Sequence, residues 1–480
     1  MSWPVFVAIA IVVWLAALLR IWASLDEFWM DEIWSLFQFA GIARSPWDIF
    51  TFHHDNNHYL VTLWMYLLGV NQSDWTLYRI PAIVAGVGTV ILSAIVARRW
   101  GSAATVAATV LTGSSYMLIC MASEARGYAL AGFFALAAIL ALDRFLTTRS
   151  LRAAALFALA TILGTLSHLT FVDVYFALFV WSCVVLGRRP ATLMEAMRNL
   201  ARLHAAPLVV FGLLYVIDVR RMRIGGGDAR TLEDVIMSSL ALVVGGSNAT
   251  PALGWILGAV VVAGAIAAIV LLARSGSDLW ILFAAGIFVA PALLLLFHRP
   301  EVIYERYFYL NILLLLLLLS YLVGRVWQIR MFGPLLASAA LVTIVIANGW
   351  QTSQLLRVGR GHFRDALAYI IEANPDQHEI HLAGDGKRSR MVLYMEFYGR
   401  YARDCRFVID EIKPGMPEVP EWLLIPGAKD TPSPRLSPFR ERGEYELQRI
   451  YSCAGLSGMN VAVYRWRPAD ARRETIRPAS

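Results

Sequence analysis

Positions 26–32 read DEFWMDE, four carboxylates in seven residues, separated by six residues from the apolar run WPVFVAIAIVVWLAALL. Charge this close to lipid is costly and tends to be kept for function. Other polar clusters recur along an otherwise apolar chain. HHDNNHYL carries His53, His54, Asp55, Asn56, Asn57 and His58. SEARGYAL carries Glu124, Arg126 and Tyr128, LSHLTF carries His168, and HRPEVIYERYFYL carries Arg299, Glu301, Tyr304, Glu305, Arg306 and Tyr307. A carboxylate in a partly dry cleft is a suitable general base. Arginine is planar, always charged and bidentate, so it grips anions. Together these residue types suit proton abstraction beside a bound anion. Each cluster also has a plainer reading. Glu124 and Arg126 make sense as an ion pair holding a turn, Arg306 as an interfacial stem with its head among lipid headgroups, and the tyrosines as members of the aromatic belt. His54 and His58, four residues apart beside Asp55, raise a divalent-metal alternative, though HHDNNH is not an HExxH pattern. No cofactor is otherwise implied.

The elements that must hold these clusters are membrane spans. The chain has 480 residues, of which 58% are hydrophobic and 16% charged, well above the apolar share of soluble globular chains. Eleven spans are expected, near 3–24, 79–97, 103–121, 128–146, 152–167, 170–187, 204–219, 252–273, 279–297, 308–326 and 332–349. The segment 58–70 is apolar but short and reads as an interfacial or re-entrant helix within a first outer loop over 25–78. The first span is no cleavable signal peptide, because DEFWMDE follows it where a small-residue cleavage site belongs. With the N-terminus cytoplasmic, Arg98, Arg99, Arg144, Arg149, Arg188, Arg189, Arg274 and Arg325 fall inside, and most acids fall outside. All the clusters above then share the outer face. Arg220 and Arg221, after the seventh span, break the rule. An anionic ligand or ordinary short-loop tolerance accounts for them equally.

Lysine is absent up to residue 350 and then appears at Lys387, Lys413 and Lys429. That shift marks a boundary between a membrane module over 1–350 and a water-soluble domain over 351–468, with a disordered tail over 469–480. FRDALAYIIEA and SRMVLYMEFYGRY read as helices, and EIHLAG, EWLLIP and GMNVAVYRW as strands, so the domain is small and α/β. An odd number of spans puts it outside. There, Cys405 and Cys453 are expected to pair in a disulfide. The net charge of +7 comes without a basic, aromatic-interleaved stripe, which excludes a nucleic-acid partner. No Gly-rich dinucleotide or phosphate loop is present.

The ordered series LDEFWMDEIWS, HHDNNHYL, LYRIPAIVAG, SEARGYAL, LSHLTF and YERYFYL resembles the GT-C membrane glycosyltransferases. The likeness is greatest to the branch of protein mannosyltransferases and lipid A aminoarabinose transferases (families 39 and 83). It covers residues 1–350. It implies a mostly α, polytopic bundle that transfers a sugar from a polyprenyl-phosphate donor to a lipid, glycan or protein acceptor. The site would open on the outer side of a bacterial inner membrane, among membrane lipids. The family's first-loop Asp corresponds to Asp31, and with Glu32 beside it forms the candidate catalytic pair. Asp31 is then the general base. Arg126 and Arg306, with Arg220 or Arg221, would steady the departing phosphate. Glu124, His58, Asn57, Asp55, Tyr128, His168 and Tyr304 would grip the substrates. Where the family often has HPPL or KPP, this chain has NHYL, with His58 as the substitute. Asp26 and Glu27 form a second acidic pair that leaves the choice of pair open. A transporter or flippase of lipid-linked saccharides is the alternative. It predicts inverted repeats and mid-depth charges, whereas the charges here gather at one face.

Overall fold

The computed structural model describes residues 2–188, 192–225, 230–246, 250–298, 302–384, 388–402, 405–412, 416, 418–429, 431–438 and 442–469. Arg299, Glu301 and the tail from 470 lie outside the described residues. The chain divides into two compact units. One comprises Met1–Leu25 and Gln38–Ser353; the other comprises Asp26–Phe37 and Gln354–Ser480.

Among the described residues, nine helices are long and apolar enough to cross a membrane, or ten if one bent pair counts as a single span. The protein is a multi-pass membrane protein. Each of the eleven expected spans has a helix, but two differ from expectation. The run expected at 103–121 is broken into Ser102–Ser114 and Tyr116–Ala122, bent by 56°. Leu151–Ser167 has only 17 residues, short for a bilayer core of about 30 Å. The segment after His58 forms the short helix Tyr59–Leu68, as expected.

The first unit is organised around the helix Tyr309–Trp327. Its sequence NILLLLLLLS is apolar on every face and is buried on every face. A neighbouring helix has a π-helical segment at Ala285–Val289, and Asn311 from the central helix donates to the Gly286 carbonyl there at 2.7 Å. In an apolar interior such a displaced carbonyl needs a partner.

The second unit is built on one mixed sheet. Its strands are β1 (Glu379–Ala383), β2 (Arg406–Asp410), β3 (Trp422–Pro426), β4 (Arg435–Leu436), β5 (Gly443–Tyr451) and β6 (Val461–Pro468), in the order β2-β1-β3-β6-β5-β4. β1 runs parallel to both β2 and β3, and the β3–β6, β6–β5 and β5–β4 pairs are antiparallel. Helices Phe363–Glu372 and Arg388–Tyr398 match expectation; β2, β4 and β5 are additional. No disulfide joins Cys405 and Cys453, which are reduced thiols. Cys405 precedes β2 at one edge, and Cys453 follows β5, four strand positions away. At about 4.8 Å per strand this is roughly 19 Å, far beyond the ~7 Å Cα separation a disulfide tolerates.

Candidate active site

The histidine loop of the first unit is shaped by its own polar side chains. Asp48 accepts from the Arg44 and Ser45 amides at 2.7 and 3.1 Å, and the Asn57 side chain donates to the Ile49 carbonyl at 2.6 Å. Such local bonds favour a turn over continued helix. A second segment is laced to this loop. His53 Nδ1 lies 2.5 Å from Asp218 Oδ1, and Tyr59 donates to Asp218 Oδ2 at 2.5 Å. The Arg223 amide donates to the His53 carbonyl at 2.8 Å, the Asp55 amide to the Arg223 carbonyl at 3.1 Å, and the Gly225 amide to the Asp55 carboxylate at 2.9 Å. Burial, with Asp218 beside it, pushes the Tyr59 hydroxyl up, so it stays protonated and donates.

His58 sits at the head of the helix Tyr59–Leu68 and is buried. Its Nε2 faces the guanidinium of Arg126, with Nη2 at 3.0 Å and Nε at 3.2 Å. A nitrogen that accepts from a guanidinium carries no proton, so the His58 proton is on Nδ1, which bonds the Ser167 carbonyl. Gly127 makes this approach possible. A Cβ there would lie 1.7 Å from the Ser167 oxygen and 3.2 Å from His58 Nδ1. The SEARGY turn therefore rests directly on the end of the helix Leu151–Ser167.

Aromatic and cationic groups complete the cluster. The His168 ring is 4.7 Å from that of His58 and 4.1 Å from that of Tyr128, and Arg126 lies 5.3 Å over Tyr128. His168 Nδ1 accepts from the Thr170 amide at 3.2 Å, which leaves its proton on Nε2. Arg306 lies 4.5 Å over the Tyr304 ring, while Arg230 pairs with Glu305. Burial, followed by the charges of Arg126, His168 and Arg306, holds His58 well below the ordinary histidine value. Burial, then Arg126 and Arg306, pushes His168 down to about 3. Burial works upward on Asp55, but its bonds to His54 and Gly225 and the charge of Arg126 outweigh it and keep Asp55 low. At neutral pH the cluster thus holds two fixed cations, two neutral imidazoles and one carboxylate. Cations in a low-dielectric pocket suit an anionic ligand such as a phosphate ester.

Of the residues singled out in the sequence, His58, Arg126, Tyr128 and His168 are in mutual contact, and Arg306 and Asp55 act on them through their charge. Tyr304 joins through Arg306. Glu124 is buried beside Cys120, whose Sγ is 3.6 Å from its Oε1. Arg220 and Arg221 lie on a short 3-10 turn that follows Asp218 at the edge of the loop, and both are exposed. His54 and His58, the histidines of the metal alternative, point to different partners: His54 Nδ1 is 3.0 Å from its neighbour Asp55 while His58 faces Arg126, and no group of three metal-holding side chains occurs among the described residues. Asp218 and Tyr309, whose ring lies 6.1 Å from that of Tyr128, are additions. Asp218, a lone acid ending an apolar run, was the available signal.

The acidic segment belongs to the second unit, where its four carboxylates divide the work. Asp26 accepts from the Arg360 amide at 2.5 Å, and Glu27 accepts from the Phe363 and Arg364 amides at 2.8 and 3.2 Å, at the start of the helix Phe363–Glu372. Glu32 is fully buried and accepts from the Trp29 amide at 3.3 Å, so it caps the start of its own helix. Asp31, on the first turn of Met30–Trp34, is half-buried. Its charge lies near enough to Tyr394 to add to burial in pushing that phenol up.

No protein-family model matches the chain, and neither does any curated protein sequence. Among solved structures, apo ArnT from Cupriavidus metallidurans aligns at a TM-score of 0.51 and 15% identity, over 96% of this chain and 97% of that one. The chain has the ArnT fold. ArnT, an aminoarabinose transferase, is a GT-C protein, the architecture that the ordered motifs imply. ArnT bound to undecaprenyl phosphate aligns at a TM-score of 0.49 and 13% identity, over 95% of this chain and 97% of that one. An Archaeoglobus fulgidus oligosaccharyltransferase, solved with zinc and sulfate, aligns at 0.45 and 12%, over 87% and 68%.

Proposed function

We propose that the chain is a GT-C glycosyltransferase that moves a sugar from a polyprenyl-phosphate donor to a lipid, glycan or protein acceptor. The observation that carries this reading is the buried pairing of Arg126 with neutral His58, beside His168 and within reach of the Arg306 charge. Guanidiniums beside imidazoles held neutral suit a phosphate, since arginine matches its oxygens in a planar fork. The ArnT fold and the order of the motifs support it, and undecaprenyl phosphate, recorded on ArnT, is a ligand of the required kind. In this reading the acceptor hydroxyl attacks the anomeric carbon and gives its proton to Asp31. The anomeric C–O bond to phosphate breaks with inversion, and the phosphate leaves with its electron pair toward Arg126 and Arg306. Asp31 is the carboxylate assigned because it stands in DEIWS, where the sequence matches the first-loop Asp of the GT-C enzymes, and farther from the first span than Asp26 and Glu27. Asn57, Asp55, Glu124, Tyr128 and Tyr304 bind donor or acceptor. The arginine distribution supports a cytoplasmic N-terminus in a bacterial inner membrane, with residues 351–468 extracytoplasmic.

The test is transfer from a radiolabelled polyprenyl-phosphate sugar by purified wild type and Asp31→Asn. The variant is expected to fold and to lose transfer by about 10²-fold or more, the lower range for a positioned general base. Transfer at the wild-type rate in Asp31→Asn refutes the base. Movement of the labelled lipid across proteoliposomes without any transfer refutes the enzyme.

A further inference from the structure

The break in the helix 102–122 lies in apolar surroundings, and a break frees backbone groups. Freed carbonyls and amides in lipid or dry protein cost several kcal/mol each unless something takes them. Three other helices reach in or make room here. Arg20, from the first span, is fully buried and donates from Nη2 to the Thr112 carbonyl at 3.1 Å. Its Nη1 donates to the Gly113 carbonyl at 3.2 Å and to the Ala16 carbonyl of its own helix at 2.9 Å. On the other side of the break, the Tyr116 amide donates to Asn348 Oδ1 at 2.9 Å, and Asn348 Nδ2 is fixed on the Ile344 carbonyl at 3.0 Å. The helix Thr76–Ala97 passes so closely that a Cβ at Gly86 would lie 3.0 Å from Arg20 Nε and 2.4 Å from the Ala122 Cβ. The break is therefore held on its carbonyl side by Arg20 and on its amide side by Asn348.

The chain runs from this break directly to the candidate site. Tyr116–Ala122 is seven residues long, and it leads straight into Ser123–Gly127, which carries Arg126. Seven residues of helix make a lever of about 10 Å. A change of 5° in the bend then moves its far end by roughly 1 Å, and a misplacement of that size can cost on the order of 10²-fold in rate.

We propose that Arg20 and Asn348 are positioning residues: they fix the bend of the helix 102–122 and thereby the place of Arg126 against the ligand's phosphate. The inference rests on the phosphate-binding reading above. Neither residue touches the ligand in this scheme.

The test measures binding of undecaprenyl phosphate, in detergent micelles, to wild type, Arg20→Met, Arg20→Lys, Asn348→Leu and Arg126→Gln, with a melting curve for each. Arg20→Met and Asn348→Leu are expected to bind at least tenfold more weakly per folded molecule. Arg20→Lys, which keeps a donor for one carbonyl, is expected to fall between Arg20→Met and wild type. If Arg20→Met does not fold, Asn348→Leu, which removes no charge, decides alone. Lowered melting temperature with affinity within twofold of wild type in the folded variants means a purely structural role and overturns the proposal. If Arg126→Gln itself binds like wild type, the phosphate-site reading fails instead, and the two failures are told apart.

Discussion

Arg126→Gln tests the electrostatics of the cluster most directly. Glutamine keeps a planar group that can donate to His58 Nε2, but it removes the charge. A fixed donor aimed at a leaving phosphate is worth about 3 kcal/mol in a dry site. At 1.36 kcal/mol per decade, this corresponds to a loss of roughly 10²-fold in turnover at neutral pH. A second effect arises from the geometry. Arg126 stands next to burial among the causes that hold both His58 and His168 low. Without it, both imidazoles move up, while burial, the larger cause, still keeps them below the ordinary value of about 6.5. As pH falls from about 7 toward about 5, a growing fraction becomes imidazolium and returns positive charge to the place that lost it. The variant's activity, relative to wild type, should therefore rise on acidification. The assay is transfer from the labelled polyprenyl-phosphate sugar across that range, with both proteins in the same detergent. Wild-type turnover in the variant at neutral pH refutes phosphate contact. A loss that stays constant with pH refutes the coupling of Arg126 to the histidines.

Two further outcomes are expected. His168 binds its proton less readily folded than unfolded, so its contribution to stability is intact above about pH 6.5 and is lost as pH falls toward about 3. The slope is roughly 1.4 kcal/mol per unit within that window, so His168→Asn should show a shallower decline in melting temperature between pH 7.5 and 5.5 than wild type, and equal slopes contradict it. All four cysteines should react with a maleimide in denaturant without prior reduction; a count that rises after reduction means a disulfide is present.

Several features were legible because they depend on local composition. The spans declare themselves by uninterrupted apolar runs, and the short run after His58 by its length. The pairing of His58 with Arg126 was foreshadowed only as shared sidedness. Its contact spans 68 positions in sequence and depends on Gly127 admitting the Ser167 carbonyl. The bend at Ser115 left little trace, since TGSS sits inside a run apolar enough to read as one span; Ser115 caps the second segment, and the groups that take the freed carbonyls and the Tyr116 amide, Arg20 and Asn348, lie far away in the chain. β5 alternates as a strand should through Tyr445 and Leu447, but the bulge between Leu447 and Arg449 breaks the period. The allegiance of DEFWMDE was invisible for a similar reason. It abuts the first span, whereas its bonding partners Arg360 and Phe363 lie more than 330 positions downstream.

That allegiance bears on how this protein can be taken apart. Phe28 is buried, its ring 5.7 Å from that of Phe397, and its carbonyl accepts from Tyr398 at 2.5 Å. A piece cut at residue 354 would leave Phe28 behind, and with it the carboxylates that serve Arg360 and the first turn of Phe363–Glu372. A piece that keeps the second unit whole must instead be a composite, with residues 26–37 grafted onto 354–480 by a linker. Truncation libraries that sample only contiguous fragments will miss it.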